Sequence, residues 1–224
     1  MSKFYIVATP IGNLNDITLR ALEVFKYVDI ILCEDTRVTQ KLLNRYKISK
    51  PLVNYHQHSN KLVSEKVIRL LNNGKSLALV SDAGTPGIQD PGNKLIGELL
   101  EKKITDLKII PVPGASAVTT LLSVSGMVTD SFLFMGFIPK KKGKQKMLRE
   151  ISANERTSVF YESGHRIMKT LGELDDHIDT RKIVVGRELT KKFETIYRGL
   201  VSEVIQKLEK SSQKGEFVVI IEGK

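Results

Sequence analysis

Short, continuously apolar runs alternate with amphipathic segments through the first half of the chain. Phe4-Tyr5-Ile6-Val7-Ala8 reads as a buried strand ending in the turn Thr9-Pro10-Ile11-Gly12-Asn13. Asp16 is placed to cap a helix whose apolar residues Leu19, Leu22, Val24, Phe25 and Val28 roughly follow helical spacing. Asp29 to Cys33 is the next strand, Thr36 to Tyr46 the next helix, and Leu52-Val53 a short strand before the polar stretch Tyr55-His56-Gln57-His58-Ser59. A helix carrying Val63, Val67, Leu70 and Leu71 on one face stops at Gly74. Ser76 to Val80 is then a strand, Lys94 to Lys102 a helix, and Leu107 to Val112 a strand running into Pro113-Gly114-Ala115-Ser116. Continuous apolar strands separated by helices predict a mainly parallel sheet covered on both faces.

Past Ala115 the pattern changes. A small-residue helix to about Ser125 precedes a strand from Phe132 to Phe137. A lysine-rich segment, a helix, the strand Ser158 to Tyr161 and another helix follow. The final third is strand-rich: Ile183 to Gly186, Glu194 to Tyr197 and Phe217 to Ile221, with a helix near Ser202 to Lys210 before the last. The fold class is therefore α/β in two domains, residues 1–117 with a mainly parallel sheet and residues 118–224 with a mixed one.

Composition narrows the setting. Of 224 residues, 41% are hydrophobic and 27% charged, an ordinary globular balance. No apolar stretch reaches the roughly 18 residues of a membrane span, and the run after Met1-Ser2-Lys3 is too short for a signal peptide. Cys33 is the single cysteine, which rules out an intramolecular disulfide and a cysteine-rich metal site and reads as a buried thiol. Cytoplasm is the expected compartment. The net charge of +10 suits a polyanionic partner such as nucleic acid without requiring one.

Chemistry concentrates at predicted strand ends. Val80-Ser81-Asp82-Ala83-Gly84-Thr85-Pro86-Gly87-Ile88-Gln89-Asp90-Pro91-Gly92 follows a buried strand directly. In an open parallel sheet, ligands bind at the carboxyl ends of strands. Glycines let the main chain approach a ligand, and prolines hold the loop in one shape. The loop exceeds the roughly 2–6 residues of an ordinary connection, so it reads as a small-molecule-binding loop. No G-x-G-x-x-G follows the first strand and no G-x-x-x-x-G-K-[ST] occurs, which excludes the dinucleotide and Walker fingerprints.

Three further clusters repeat the design: Cys33-Glu34-Asp35-Thr36-Arg37, Tyr161-Glu162-Ser163-Gly164-His165-Arg166 and Gly186-Arg187-Glu188-Leu189-Thr190-Lys191. Helix capping explains the first as well as function does, since acids are favoured in a first helical turn. Together, four charged strand ends predict one polar cleft between the halves. His56 and His58 lack metal-ligand spacing and recognised partners, so no metal site is expected. Lys140 to Arg149 holds six basic residues and no acid, a pattern read either as a solvated loop or as a phosphate-contacting surface.

Taken in order and spacing, these motifs resemble the tetrapyrrole (corrin/porphyrin) methylase superfamily, and most closely its ribosomal RNA small-subunit methyltransferase I branch. The likeness runs through Tyr5 to Leu14, Glu34-Asp35-Thr36-Arg37, Val80 to Gly92, Pro113-Gly114, Gly136 to Pro139, Tyr161-Glu162-Ser163 with His165-Arg166, Arg187 to Lys191, and Gly215-Glu216. Gly164 departs from the pattern but leaves His165-Arg166 in place. The resemblance implies S-adenosylmethionine held in a trough between two α/β domains of a homodimer, and 2'-O-methylation of a cytidine in the decoding region of 16S rRNA. Free small-subunit rRNA and the assembled subunit are both open as substrate, and no membrane partner is implied. By motif position, Pro10, Gly12, Asp82, Ala83, Gly84, Thr85, Ile88, Ala115, Ser116, Tyr161, Arg187 and Gly215 are expected to contact the cofactor.

Ribose hydroxyl is a poor nucleophile, so a proton acceptor would assist transfer. Glu34, Asp35, Glu162, His165 and Glu188 are the candidates, and the sequence does not choose among them. Arg37, Arg166, Lys140, Lys141, Lys142 and Lys144 are expected at RNA phosphates, with the arginines also holding carboxylates. A tetrapyrrole methyltransferase of the same fold and a non-catalytic RNA-binding module are the alternative readings.

Overall fold

The computed structural model describes residues 1–56, 61–102, 104–178 and 180–224. The stretch Gln57 to Asn60, with the second histidine of the polar segment (His58), lies outside them. The chain forms two compact units, Met1–Ser116 and Ala117–Lys224.

In the first unit, five strands lie in the order β3-β2-β4-β1-β5. They are β1 (Lys3–Val7), β2 (Ile30–Cys33), β3 (Leu52–Asn54), β4 (Leu77–Leu79) and β5 (Lys108–Val112). Every pairing is parallel. Side chains of successive strand residues point to opposite faces, and here both faces are buried. Tyr5, Val7, Ile31, Cys33, Ala78 and Val80 meet α1 (Leu19–Tyr27) and α2 (Thr36–Arg45) on one side. Phe4, Leu32, Leu77 and Leu79 meet α3 (Lys61–Asn72) and α4 (Asn93–Glu101) on the other. That double coverage is why the strands read as unbroken apolar runs. Cys33 is fully buried, and burial pushes its thiol up.

One boundary differs from the sequence expectation. Asp16 lies in a single 3-10 turn, Leu14–Asp16, and Thr18 caps α1 instead, accepting from Ala21 N at 3.1 Å. Asn13 starts the 3-10 turn by accepting from Asn15 N, so the chain turns twice before α1 begins. Thr18→Ala is expected to cost about 1 kcal/mol, measured as a lower urea midpoint at unchanged slope.

In the second unit the order is β6-β7-β10-β8-β9, and only β6 and β7 run parallel. The strands are β6 (Phe132–Phe137), β7 (Thr157–Ser163), β8 (Lys182–Arg187), β9 (Thr195–Leu200) and β10 (Glu216–Ile221). One face packs on α6 (Lys144–Ala153), α7 (Ile167–Ile178) and α8 (Val201–Glu209) through Phe160, Ile183, Val185, Phe217, Val219 and Ile221. On the other face lies the short helix α5 (Ala117–Ser123), whose Leu121 sits so close to Gly186 that a Cβ there would come within 2.8 Å. β6 carries a bulge: Phe134 pairs with Val159 but Phe137 pairs with Tyr161, so three steps on β6 match two on β7. Gly136, at φ +66, takes the left-handed turn that the extra residue needs.

Among the described residues, no helix is long and apolar enough to cross a membrane.

Candidate functional site

Because the first sheet is parallel, the loops after β1, β2, β4 and β5 all leave from one edge. Strand order then decides which loops touch. β4 lies beside β1, and its loop is bound to the residue after β1: Thr9 N donates to Gly84 O at 2.9 Å, and Gly84 N to Thr9 O at 3.0 Å. Gly84 makes this bridge at φ +80, a conformation open to glycine without strain. Thr9 Oγ1 also donates to Ser81 O at 3.0 Å, and Asn93 Nδ2 to Gly87 O at 2.7 Å. These internal bonds shape the loop from Ser81 to Gly92 in the absence of any ligand. β5 lies on the other side of β1, and its exit presses on the same place. A Cβ on Gly114 would sit 2.9 Å from Ala8 Cβ, and Ala115 O lies 3.7 Å from where a Gly84 Cβ would be.

β2 flanks β4 on its far side and brings the acids. Asp35 N donates to Asp82 Oδ1 at 3.0 Å. Asp35 caps α2 through Arg37 N at 2.8 Å and is gripped by the Arg37 guanidinium, with Nη2–Oδ2 at 2.6 Å. Arg37 therefore holds this carboxyl down to about 2. Capping and ion pairing thus take up Asp35, while the Arg37 side chain stays 88% exposed. The other acids at this edge behave in the opposite way. Burial, then the charge of Asp82, raises Glu34; burial, then Asp35, raises Asp82. Asp90 rises to about 6 through burial, with Glu34 and Asp82 adding repulsion against an accepted bond from Ser81. His56 and Arg37 offset this negative edge only in part. Asp82, Ala83 and Ile88 are exposed on it. Under-compensated carboxylates beside small apolar contacts suit a compact cationic ligand.

Asp90 was absent from the candidate bases. Its position between Gln89 and Pro91 carries no sign of burial. The signal available was its confinement in a glycine- and proline-rich loop that already holds another carboxylate, Asp82.

The second unit gathers its own clusters at one end of its sheet, where β7 and β8 finish on either side of the start of β10. Glu162 is fully buried in side chain and saturated. It accepts from Ser163 N at 2.8 Å, Arg166 Nε at 2.7 Å and Thr170 Oγ1 at 2.8 Å, while Arg166 Nη2 reaches Ile138 O at 2.8 Å. Glu162 and Arg166 are thereby committed to each other and to the start of α7. Glu188, despite burial, is held below the usual carboxylate range by Lys191 and by Glu216 N, at 2.9 and 3.0 Å. Its φ of +51 and that of Thr190 at +64 mark a loop held in sparsely populated backbone. Arg187 Nε donates to Lys214 O at 2.8 Å, and Gly215 lies against Glu188. His165 is exposed on an open hollow of about 640 Å³ lined also by Ser163, Gly164 and residues 211–215. Lys144 pairs with Glu173 at 3.0 Å with its side chain 12% exposed, whereas Lys140, Lys141 and Lys142 face solvent. Among the described residues no cluster of His, Cys, Asp or Glu is arranged for a metal ion.

The model of the tetrapyrrole (corrin/porphyrin) methylases matches residues 3–205. The ribosomal RNA small subunit methyltransferase I of Bacillus subtilis (strain 168) is 44% identical over 226 residues, covering 100% of this chain and 76% of that protein. The protein of the same name from Thermotoga maritima is 42% identical over 224 residues and is covered end to end on both sides. Among solved structures, a cobalamin biosynthetic enzyme, cobalt precorrin-4 methyltransferase, superposes with a TM-score of 0.71 over 97% of this chain and 94% of that one, at 18% identity. That last likeness shows the fold. With the family model spanning nearly all of the chain and relatives this similar over its full length, the chain belongs to the tetrapyrrole (corrin/porphyrin) methylases, in their ribosomal RNA small subunit methyltransferase I branch.

Proposed function

We propose that the chain transfers a methyl group from S-adenosylmethionine to the ribose 2'-oxygen of a cytidine in the decoding region of 16S rRNA, in the cytoplasm and as a homodimer. The support is end-to-end similarity, at 42–45% identity, to proteins named ribosomal RNA small subunit methyltransferase I. The acidic edge of the first unit agrees with it chemically, since the donor carries a sulfonium and an ammonium. When bound, the donor supplies a methyl carbon already activated by its cationic sulfur.

The protein's task is then to hold, align and accept a proton. Pro10, Gly12, Asp82, Ala83, Gly84, Thr85, Ile88, Ala115 and Ser116 are the proposed contacts in the first unit, on a loop shaped in advance by the Thr9–Gly84 bridge. Tyr161, Arg187 and Gly215 keep the role that the family likeness gives them. Of the five candidate bases, Asp35, Glu162 and Glu188 are engaged by Arg37, Arg166 and Lys191. Glu34 remains beside Asp90, both raised by burial and by neighbouring acids. These two are the proposed proton acceptors. Exposed Arg37 and Lys140 to Lys142 take RNA phosphates.

The test is transfer of labelled methyl from S-adenosylmethionine to unmodified small ribosomal subunits, with free rRNA and a tetrapyrrole in parallel. Label in the RNA, mapped to one ribose, is expected. Label in the tetrapyrrole alone overturns the proposal.

A further inference from the structure

The second sheet ends at β6 in an aromatic face that the established fold does not need. Phe134 meets Tyr161 edge-on, with ring centroids 5.1 Å apart, and Phe137 meets the same ring at 5.3 Å, tilted by 57°. Phe137 remains 51% exposed. In a regular strand residues 134 and 137, three apart, point to opposite faces. Phe137 would then share the face of Met135, which packs into the buried core of this unit. The bulge and the left-handed Gly136 prevent that: they rotate the phenyl ring out of an available core and onto the outer face. Ile138 turns back into the core immediately afterwards. Bulges commonly re-aim a side chain in this way. Here the side chain re-aimed is a large apolar ring, placed where much of its surface stays in water.

What lies next to the ring indicates its use. Lys140, Lys141 and Lys142 follow within five residues, at most about 17 Å of chain, and all three are exposed. The nearby acid Glu173 is already satisfied by Lys144 and Gln145, and no acidic residue occurs from Ile138 to Arg149. An apolar protein partner on Phe137 would strip water from these lysines without pairing them. A single nucleic-acid strand satisfies both groups, because its bases stack on aromatic rings and its phosphates pair with cations.

We propose that Phe137, buttressed by Tyr161 and Phe134, is a stacking platform for an unpaired RNA base, with Lys140, Lys141 and Lys142 on the flanking phosphates. The inference rests on the RNA substrate proposed above and adds that the substrate is gripped through an unstacked nucleotide rather than as duplex.

The full chain is titrated with a fluorescent single-stranded fragment of small-subunit rRNA and with a duplex of the same sequence. Phe137→Ala is expected to weaken single-strand binding by about 5- to 100-fold, the range of one lost base stack, and to leave duplex binding unchanged. Phe137→Trp should retain the affinity of the parent. Changing Lys140, Lys141 and Lys142 together to Ala should reduce the salt slope by about 2, whereas Phe137→Ala should leave it alone. Calorimetry with S-adenosylmethionine and sedimentation are run on the same variants. Unchanged RNA binding by Phe137→Ala overturns the platform while the proposed methylation stands on the parent's own activity. Lost cofactor affinity, or dissociation of an oligomer, with RNA binding intact assigns the ring elsewhere and also overturns it. A parent chain that binds no RNA overturns both.

Discussion

Glu162→Ala is expected to destabilise the second unit by about 3–5 kcal/mol, seen as a thermal midpoint lower by roughly 10 °C. The carboxylate it removes is fully buried, while the Arg166 side chain facing it is 18% exposed. A buried charge left without its partner loses the Coulomb attraction but keeps the desolvation cost. Thr170 Oγ1 and Ser163 N lose their acceptor in the same step. Arg166→Ala should cost a similar amount, because Glu162 is then the stranded charge. The double variant should cost clearly less than the sum, since neither charge is left alone, and that shortfall measures the pair. Glu162→Gln, measured on folded protein below its midpoint, should keep methyl transfer within about tenfold of the parent, far short of the 10²–10⁴ that loss of a general acid or base costs. Normal stability with methyl transfer lost would instead return Glu162 to the list of catalytic bases.

The contrast between Glu162 and Glu34 shows where the sequence runs out. Both close an apolar strand and stand beside an arginine-containing turn, so pattern alone treats them alike. Long-range partners separate them: Arg166 and Thr170 lie on α7, at i+4 and i+8 from Glu162. Near Glu34, the arginine at i+3 bonds to Asp35. Strands of the first unit were legible because both faces are covered, which turns sheet position into continuous hydrophobicity. The loop from Val80 to Gly92 was legible for a different reason, its glycines and prolines being local conformational signals. The bulge at Gly136 was not, since one extra residue in a run of Phe, Leu and Met leaves no break in the apolar pattern. Thr18 displaced Asp16 as cap because a 3-10 turn intervenes, and both residue types cap equally well.

Asp90→Asn is expected to lower the rate of methyl transfer by about 10²–10⁴ and, at neutral pH, to raise stability. Both effects follow from one carboxyl group held at about 6 by burial and by the charges of Glu34 and Asp82. As a proton acceptor it works only when ionised, so the rate with the parent should climb as pH rises through about 6 and then level off. Asn cannot ionise, and its profile should lack that limb. The stability effect runs the other way. A carboxyl raised in the folded state above its ordinary value of 3.8 binds its proton more tightly there than in the unfolded chain. Its favourable contribution is complete below 3.8 and is lost as pH rises through about 6. A shift of about two units is worth at most about 3 kcal/mol; for a half-buried group screened by solvent, about 1–2 kcal/mol is expected. Asn carries no charge to desolvate, so the variant should unfold above the parent at pH 8 and with little difference at pH 4. Glu34→Gln separates the two acids: if Asp90 is the acceptor, removing the Glu34 charge lowers the pH at which the rate rises and keeps most of the plateau. A lost plateau in Glu34→Gln, with the limb near 6 intact in Asp90→Asn, would transfer the role to Glu34. Full activity in both variants would leave alignment of the donor and acceptor as the whole of the protein's contribution.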